Sequence, residues 1–200
     1  MEAHEAHETI HEAAHGHESH EGHQPLRTSR NKKIAVLISV LAALLAIIEA
    51  GGKSAQNASL SANIHANDLW SFYQAKSIRM TTIRSSADVL ELTMPGNEAA
   101  ARKAAEWRAT AQRYDSEPET GEGRKELSAK AKAAEAQRDH ALAAYHQFEF
   151  GAAALQISIV LCSAAVVTGT LLLAYIAGGL GLIGIVFGLL GWLAPTLVHL

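Results

Sequence analysis

The charged residues of this 200-residue chain are segregated along its length. No Asp, Glu, Lys or Arg occurs between Lys33 and Glu49, and none occurs from Phe150 to the carboxyl end. Fourteen of the fifteen residues from Ile34 to Ile48 are apolar. Segments of this kind would aggregate in water, and a helix of about 20 apolar residues crosses the hydrocarbon core of a bilayer. The distribution therefore predicts an all-α integral membrane protein and excludes a freely soluble enzyme.

The apolar segments predict three transmembrane helices. The first, with its basic flank, comprises residues 27–52, the second 151–175 and the third 180–198, and Ala177–Gly179 would link the last two. Because the basic flank begins well inside the chain, we expect an uncleaved anchor rather than a signal peptide. The single cysteine, Cys162, lies in an apolar segment and excludes a disulfide framework.

Residues 53–150 form a neutral, water-facing region with 13 basic and 13 acidic residues. Its apolar residues recur at the alternating 4-3 spacing of a coiled-coil seam. Pro and Gly residues break this pattern near 95–97 and at 117–123. A helix from Lys53 to Met94 would rise roughly 60 Å at 1.5 Å per residue, and only the two following helices placed end to end match it. We therefore predict a long antiparallel, coiled-coil-like helical hairpin between the first and second transmembrane helices.

Two groups of residues are candidates for helix packing or interaction. The aromatic residues of the hairpin, with one lysine of the same seam, would lie at interfaces within the hairpin or between protomers; a ligand pocket is the alternative. Small residues at 4-3 spacing in the last span would let a helix approach closely, either from the same chain or from another copy. The first group is Trp70, Tyr73, Lys76, Trp107, Tyr114 and Tyr145, and the second is Gly181, Gly184, Gly188 and Gly191.

Residues 1–26 form a low-complexity tail in which histidine alternates with glutamate. This composition cannot bury a core, so the tail is predicted to be disordered. Neutral imidazole binds zinc, nickel and copper, and a divalent metal on the tail is one interpretation. The alternative is a solvated tail whose charge responds to pH near the ordinary pKa of histidine. The histidines are His4, His7, His11, His15, His17, His20 and His23.

Glu49 is the formal charge closest to the interior of a predicted span. Lys53 lies one helical turn away, which predicts a paired, structural carboxylate at the level of the lipid headgroups. Gln156 of the second span is expected at a similar depth and is a second candidate partner. The alternative is a carboxylate that carries protons or cations.

Basic residues also predict the orientation of the chain. Four of them lie between Arg27 and Lys33, whereas Lys53, Lys132 and Arg138 lie near the membrane on the other side of the first span. The side with more Lys and Arg is usually cytoplasmic, so we expect a cytoplasmic amino terminus. Residues 53–150 would then be periplasmic or extracellular.

The segment Trp70–Arg79, with the sequence WSFYQAKSIR, resembles the signature of an uncharacterised bacterial membrane family, domain of unknown function 4337. The tail segment His7–His15 is similar to the His/Glu-rich start of that family. The resemblance implies a multi-pass protein of the bacterial inner membrane, and it supplies no catalytic residues because the family has no assigned activity. Family members usually carry basic residues between the last two spans, whereas Thr170–Gly181 has none, so the predicted orientation depends on Arg27–Lys33.

The sequence contains no pattern that indicates an enzyme. A Ser/His/Asp set on loops, a glycine-rich phosphate loop and paired carboxylates in an apolar cleft are all missing from it. We therefore expect no enzyme activity and no cofactor, and a net charge of −3 gives no indication of a nucleic-acid partner. The first hypothesis is a structural protein of the lipid bilayer that forms homo-oligomers or binds a membrane protein partner. The alternative is a metal-handling or ion-coupled transport protein that uses the His-rich tail and Glu49.

Overall fold

The computed structural model describes residues 25–197, and its regular structure is helical throughout, with no strand in that range. Helices α1, α3 and α4 are each long and apolar enough to cross a membrane. The predicted all-α class with three candidate transmembrane helices is therefore confirmed. The four helices are α1, Pro25–Thr93; α2, Glu98–Asp115; α3, Arg124–Thr168; and α4, Leu171–Leu193.

Helix α1 begins within the segment predicted to be disordered. Pro25 and Leu26 are helical, whereas the predicted tail extends to residue 26. Proline is well suited to the first turn of a helix, because its fixed φ is helical and its missing N–H would have no partner there. The rest of the predicted tail, with its seven histidines, lies outside the described residues.

The connection between α1 and α2 follows from its sequence. Pro95 and Gly96 follow the last turn of α1, and Gly96 has a φ of +79°, which glycine adopts without strain. Asn97 caps α2, because its side-chain oxygen accepts hydrogen bonds from the backbone N–H groups of Ala99 and Ala100. The break predicted near 95–97 therefore lies where the structure has it.

The connection between α2 and α3 is closed by a carboxylate. Glu126, in the first turn of α3, accepts hydrogen bonds from the Ser116 hydroxyl (2.7 Å) and from the Glu117 backbone N–H (3.2 Å). A side chain at Gly123 would collide with the Glu126 carboxylate and with the Glu117 backbone nitrogen, so the loop requires glycine there. Lys130 also donates to the Gly121 carbonyl (2.8 Å). These contacts hold the end of α2 next to the start of α3.

The predicted link between the last two spans is wrong. α3 ends at Thr168 and α4 begins at Leu171, whereas Ala177–Gly179 lies inside α4. Gly169 has a φ of +72°, and its N–H donates to the Ala165 carbonyl (3.0 Å), which is a left-handed helix end. Glycine disfavours a helix by only about 1 kcal/mol relative to alanine, so Gly178 and Gly179 can lie inside one, whereas the positive φ of Gly169 ends α3. The predicted spans 151–175 and 180–198 therefore have a different boundary.

The described residues divide into two compact units. The apolar unit comprises residues 25–47 and 151–186, and the charged unit comprises residues 48–150 and 187–197. The two units are packed by different kinds of contact.

In the charged unit, α1 is paired in antiparallel fashion with α2 and then with α3. Arg108 of α2 binds Asp88 and Glu91 of α1, whereas Glu135 of α3 accepts a hydrogen bond from Trp70, further back along α1. The seam between the helices consists largely of small residues, which let the backbones approach closely. Its buried alanines include Ala66, Ala87, Ala100, Ala104, Ala111, Ala131 and Ala134.

In the apolar unit, small residues of α4 lie against α1 and α3. A Cβ on Gly181 would lie 2.9 Å from Leu41 of α1 and 3.1 Å from the hydroxyl of Ser158 in α3. The buried Ser158 hydroxyl donates to the Ala177 carbonyl (2.6 Å). A polar contact between two helices thus accompanies their close approach.

Candidate functional site

A buried lysine lies at the centre of the Trp70–Arg79 segment. Lys76 is only 7% exposed, and its Nζ lies 3.8 Å from Glu122 Oε2 in the loop that follows α2. The same Nζ lies 5.2 Å from the ring centroid of Tyr114 and 5.5 Å from that of Phe72. A buried ammonium group needs such partners, and aromatic faces attract it because their electron density is negative. Lys76 therefore joins α1 to the end of α2 and to the loop that follows.

An arginine makes the corresponding contacts at the start of α3. Arg124 donates to the Tyr73 hydroxyl (2.8 Å) and to Asp115 Oδ1 (3.2 Å), and its guanidinium lies 4.9 Å from the Tyr73 ring centroid. It also approaches the sulfur of Met80 (3.5 Å). The planar guanidinium presents several donors in fixed directions, so one side chain can join three helices.

Trp70 of α1 adds a contact with α3. Its indole N–H donates to Glu135 Oε1 (2.9 Å), and its ring meets the Tyr73 ring edge to face at 5.4 Å. The structure thus brings together four of the six predicted interaction residues: Trp70, Tyr73, Lys76 and Tyr114. We use the name junction cluster for Trp70, Tyr73, Lys76, Tyr114, Asp115 and Arg124.

Carboxylates near the junction cluster are stabilised in their charged form. Hydrogen bonding from the Ser116 hydroxyl holds the pKa of Glu126 below its ordinary value. Hydrogen bonding from Arg113, and secondly from Thr120, lowers the pKa of Glu117. Further along α1, the hydrogen bond from Arg108 lowers the pKa of Glu91. The polar groups here bind one another and connect helices.

The glycine face of α4 is buried against the chain's own helices. Within one chain this face contacts both α1 and α3, and contact with another copy stays a prediction. A Cβ on Gly184 would lie 2.8 Å from the Gly151 carbonyl oxygen, so these two backbones are in close contact. The positions opposite are Leu41 and Ser158 for Gly181, Leu155 and Gly151 for Gly184, Ile48 for Gly188, and Phe148 for Gly191.

A family model, described as a domain of unknown function (DUF4337), matches residues 30–194 of the chain. The chain belongs to the DUF4337 family. The match confirms the resemblance read from Trp70–Arg79, and it extends from the first turns of α1 to the end of α4. Comparison with the curated proteins and with the solved structures found no match.

The two remaining aromatic candidates lie apart from the junction cluster of this DUF4337 protein. Trp107 of α2 is half-buried beside Lys103, whose Nζ lies 5.9 Å from its ring centroid. It borders a shallow groove whose other wall is the last turns of α1, from Thr81 to Thr93. Tyr145 of α3 lies next to the ring of His146 at 5.5 Å. Neither residue has a polar partner that would indicate a ligand pocket.

The intramembrane polar pair and the metal ligands stay predictions. Glu49 lies on α1 in the charged unit and Gln156 on α3 in the apolar unit, and both side chains are exposed. Within residues 25–197, no group of three or more His, Cys, Asp or Glu side chains could hold a metal ion. The tail histidines precede this range.

Sequence reasoning missed the polar partners of the DUF4337 segment. Arg124, Asp115, Glu122 and Glu135 lie 39 or more residues from Lys76 along the chain, and no local spacing connects them. One signal was available, because Lys76 occupies a position of the apolar seam. A charged residue in a seam requires buried partners, although the sequence does not say which residues supply them.

Proposed function

We propose that this DUF4337 protein is a non-enzymatic, multi-pass membrane protein in which residues 53–150 of the charged unit form an interaction module outside the bilayer. The observation that carries the proposal is the junction cluster. The most distinctive segment of the chain, Trp70–Arg79, is committed to fixing α1, α2 and α3 relative to one another through Lys76 and Arg124. A rigid helical surface presented to a partner requires such internal support.

The proposed setting is the bacterial inner membrane. Three candidate spans support a multi-pass arrangement, and the basic residues from Arg27 to Lys33 support a cytoplasmic amino terminus. Residues 53–150 would then extend into the periplasm or the extracellular space as a coiled-coil-like antiparallel hairpin. Its outgoing helix, from Lys53 to Thr93, would reach about 60 Å at 1.5 Å per residue.

The orientation is tested by cysteine labelling. The native cysteine, Cys162, is buried and is replaced by serine, and Glu119→Cys is introduced in the loop between α2 and α3. We expect a membrane-impermeant maleimide to label this variant in intact spheroplasts, with Asn31→Cys labelled only after lysis. The opposite pattern would reverse the proposed orientation.

The interaction role is tested by the mass of the protein extracted in native lipid discs. We expect an assembly larger than one chain of 21.3 kDa, either with further copies or with another membrane protein. A single chain without a bound partner would contradict the proposal. Deletion of residues 2–24 is the control, and we expect it to leave the mass of the assembly unchanged except for the deleted residues. A defect of the deletion strain confined to excess metal or acid would instead favour the metal-handling alternative.

A further inference from the structure

The outward face of α1 in the charged unit carries exposed apolar residues near both of its ends and at its middle. We use the name outer stripe for Leu60, Ile64, Asn67, Ile78, Val89 and Leu92 and the Ser, Gln and Thr positions between them at steps of three or four residues. At 3.6 residues per turn, these positions share one face, opposite the seam that contacts α2 and α3. Ile78 is 67% exposed and Leu92 is 80% exposed.

The outer stripe contains no charge, although charges surround it. Six charged residues occur between Leu60 and Leu92, and all six lie on other faces of α1. Lys76 belongs to the junction cluster, and Asp88 and Glu91 bind Arg108. The exposed faces of α2 and α3 do carry charged residues, among them Lys103, Lys130 and Asp139. A solvated helix face in so charged a region normally bears charges, whereas a long uncharged face with exposed Leu, Ile and Val side chains is typical of an interaction surface.

We propose that the outer stripe binds the outer stripe of a second copy of this chain, with the two α1 helices parallel. The inference rests on the proposed function and names the partner. Copies inserted by the same three spans have the same orientation in one bilayer, so their α1 helices point the same way. Equal positions then face each other, and Leu60, Ile64, Ile78 and Leu92 each meet their own counterpart. A symmetric parallel contact tolerates such layers only where like charges are missing, as they are here.

The polar positions of the outer stripe fit the same arrangement. Asn67, Ser71 and Gln74 lie between Ile64 and Ile78. Across a symmetric parallel contact each of them meets its own counterpart, and amide and hydroxyl groups can both donate and accept a hydrogen bond. A partner of different sequence and opposite charge is disfavoured, because a neutral stripe offers no charge complementarity to guide it.

The size of the surface also fits a second copy. The outer stripe spans about 50 Å at 1.5 Å per residue, and a helix contact about 10 Å wide over that length buries about 1,000 Å² in total. This area lies at the lower limit of a stable interface between soluble proteins. Confinement of both copies to one membrane raises their effective concentration, which makes a contact of this size sufficient.

Cysteine cross-linking in native membranes tests the proposed contact. In the Cys162→Ser background, Ile78→Cys places one thiol on the outer stripe, and Arg79→Cys places one at the next residue, which is exposed but lies off the stripe. With a short bis-maleimide, we expect Ile78→Cys to shift from one chain to two on a denaturing gel, and Arg79→Cys to remain at one. Equal cross-linking of the two variants, or none for either, would overturn the proposal.

Two further measurements test whether the two α1 helices are parallel and distinguish failure of this inference from failure of the proposed function. Ile64→Cys should cross-link to itself, whereas mixed Ile64→Cys and Val89→Cys chains should give no mixed dimer; a mixed dimer would mean an antiparallel contact and overturn the parallel one. Because Ile78 is exposed, Ile78→Glu should keep the fold while reducing the assembly from two copies to one, and Arg79→Glu should not. If the native chain is found as a single copy bound to another membrane protein, this inference is overturned and the proposed function is retained. If the native chain is found as a single copy alone, both are overturned.

Discussion

The apolar unit and the charged unit are both helical, but different contacts hold them together. In the apolar unit, Gly181 and Gly184 bring backbones close, and Ser158 adds one short hydrogen bond. In the charged unit, an alanine seam is combined with long polar side chains, above all Lys76 and Arg124. The proposed membrane setting accounts for the difference. Lipid would remove the hydrophobic drive between helices and leave close packing, whereas water drives the burial of apolar residues in the seam.

The largest effect is expected where a side chain would enter a backbone contact. Gly184→Val places atoms against the Gly151 carbonyl oxygen and Leu155, which must then move apart. We expect the free energy of unfolding to fall by about 3 kcal/mol, as for overpacking of a well-packed core. The measurement is thermal unfolding of the full chain in detergent.

Gly178→Ala is the matched control in the same helix. No atom lies within 4 Å of a Cβ placed at Gly178. This variant should be as stable as the native chain or up to about 1 kcal/mol more stable, because alanine favours helix more than glycine does. Equal destabilisation by both variants would mean that close approach does not hold the apolar unit together.

In the charged unit, the expected destabilisation comes from the loss of hydrogen bonds rather than from a steric clash. Arg124→Met removes the donors to Tyr73 and Asp115. We expect a loss of about 2 kcal/mol, because hydrogen bonds to charged groups contribute more than neutral ones. The measurement is hydrogen exchange of residues 116–130 in the full chain.

Lys125→Met is the control for Arg124→Met. Lys125 also lies near Asp115 (3.2 Å), but its side chain is 70% exposed, so its loss should cost less than about 1 kcal/mol. Equal losses of stability in Arg124→Met and Lys125→Met would mean that the contacts of the junction cluster contribute no more than surface ion pairs.

A smaller effect is expected from the hydrogen bond of the apolar unit. Ser158→Ala removes the bond to the Ala177 carbonyl while leaving the small volume that the close contact requires. Interhelical hydrogen bonds in membrane proteins contribute about 0.6 kcal/mol on average, and we expect a loss of that order in thermal unfolding. A loss as large as that of Gly184→Val would mean that polar contacts stabilise the apolar unit as much as close packing does.

The smallest effect concerns pH and is confined to the loop before α3. The pKa of Glu126 is lowered in the folded chain by the Ser116 hydroxyl, so its stabilisation is present above the unfolded pKa and is lost as pH falls through the folded pKa. The protection factors for hydrogen exchange of residues 116–123, which remove the intrinsic pH dependence of exchange, should therefore fall as the pH drops below about 4.5, the ordinary pKa of a glutamate.

Glu126→Gln should weaken this pH dependence, with Glu119→Gln, an exposed residue of the same loop, as the control. Glu117, whose pKa is also lowered, leaves part of the response in place. An unchanged pH response in Glu126→Gln would assign the effect to Glu117 alone.

Local pattern was sufficient for the helices of the charged unit. The 4-3 spacing of the seam includes Ala66, Met80 and Ala87, and all three are buried. α1 ends before Pro95 and Gly96 because proline interrupts the helical hydrogen bonding and Gly96 adopts a positive φ. The same reasoning failed at Gly178 and Gly179, which continue α4, whereas the break lies at Gly169 with its positive φ. Glycine permits a helix as well as a turn, so its presence alone does not locate the break.

The sequence by itself determined the segregation of apolar and charged segments, the helical class and the positions of the seam residues. These properties depend on composition and on periodicity within one helix, which neighbouring residues specify. The tertiary structure alone decided that Arg124 and Asp115 meet Tyr73, that both α1 and α3 cover the glycine face, and that the outer stripe of α1 stays uncovered within one chain. Those outcomes depend on which helices face each other and in what register, and residues tens of positions apart set both.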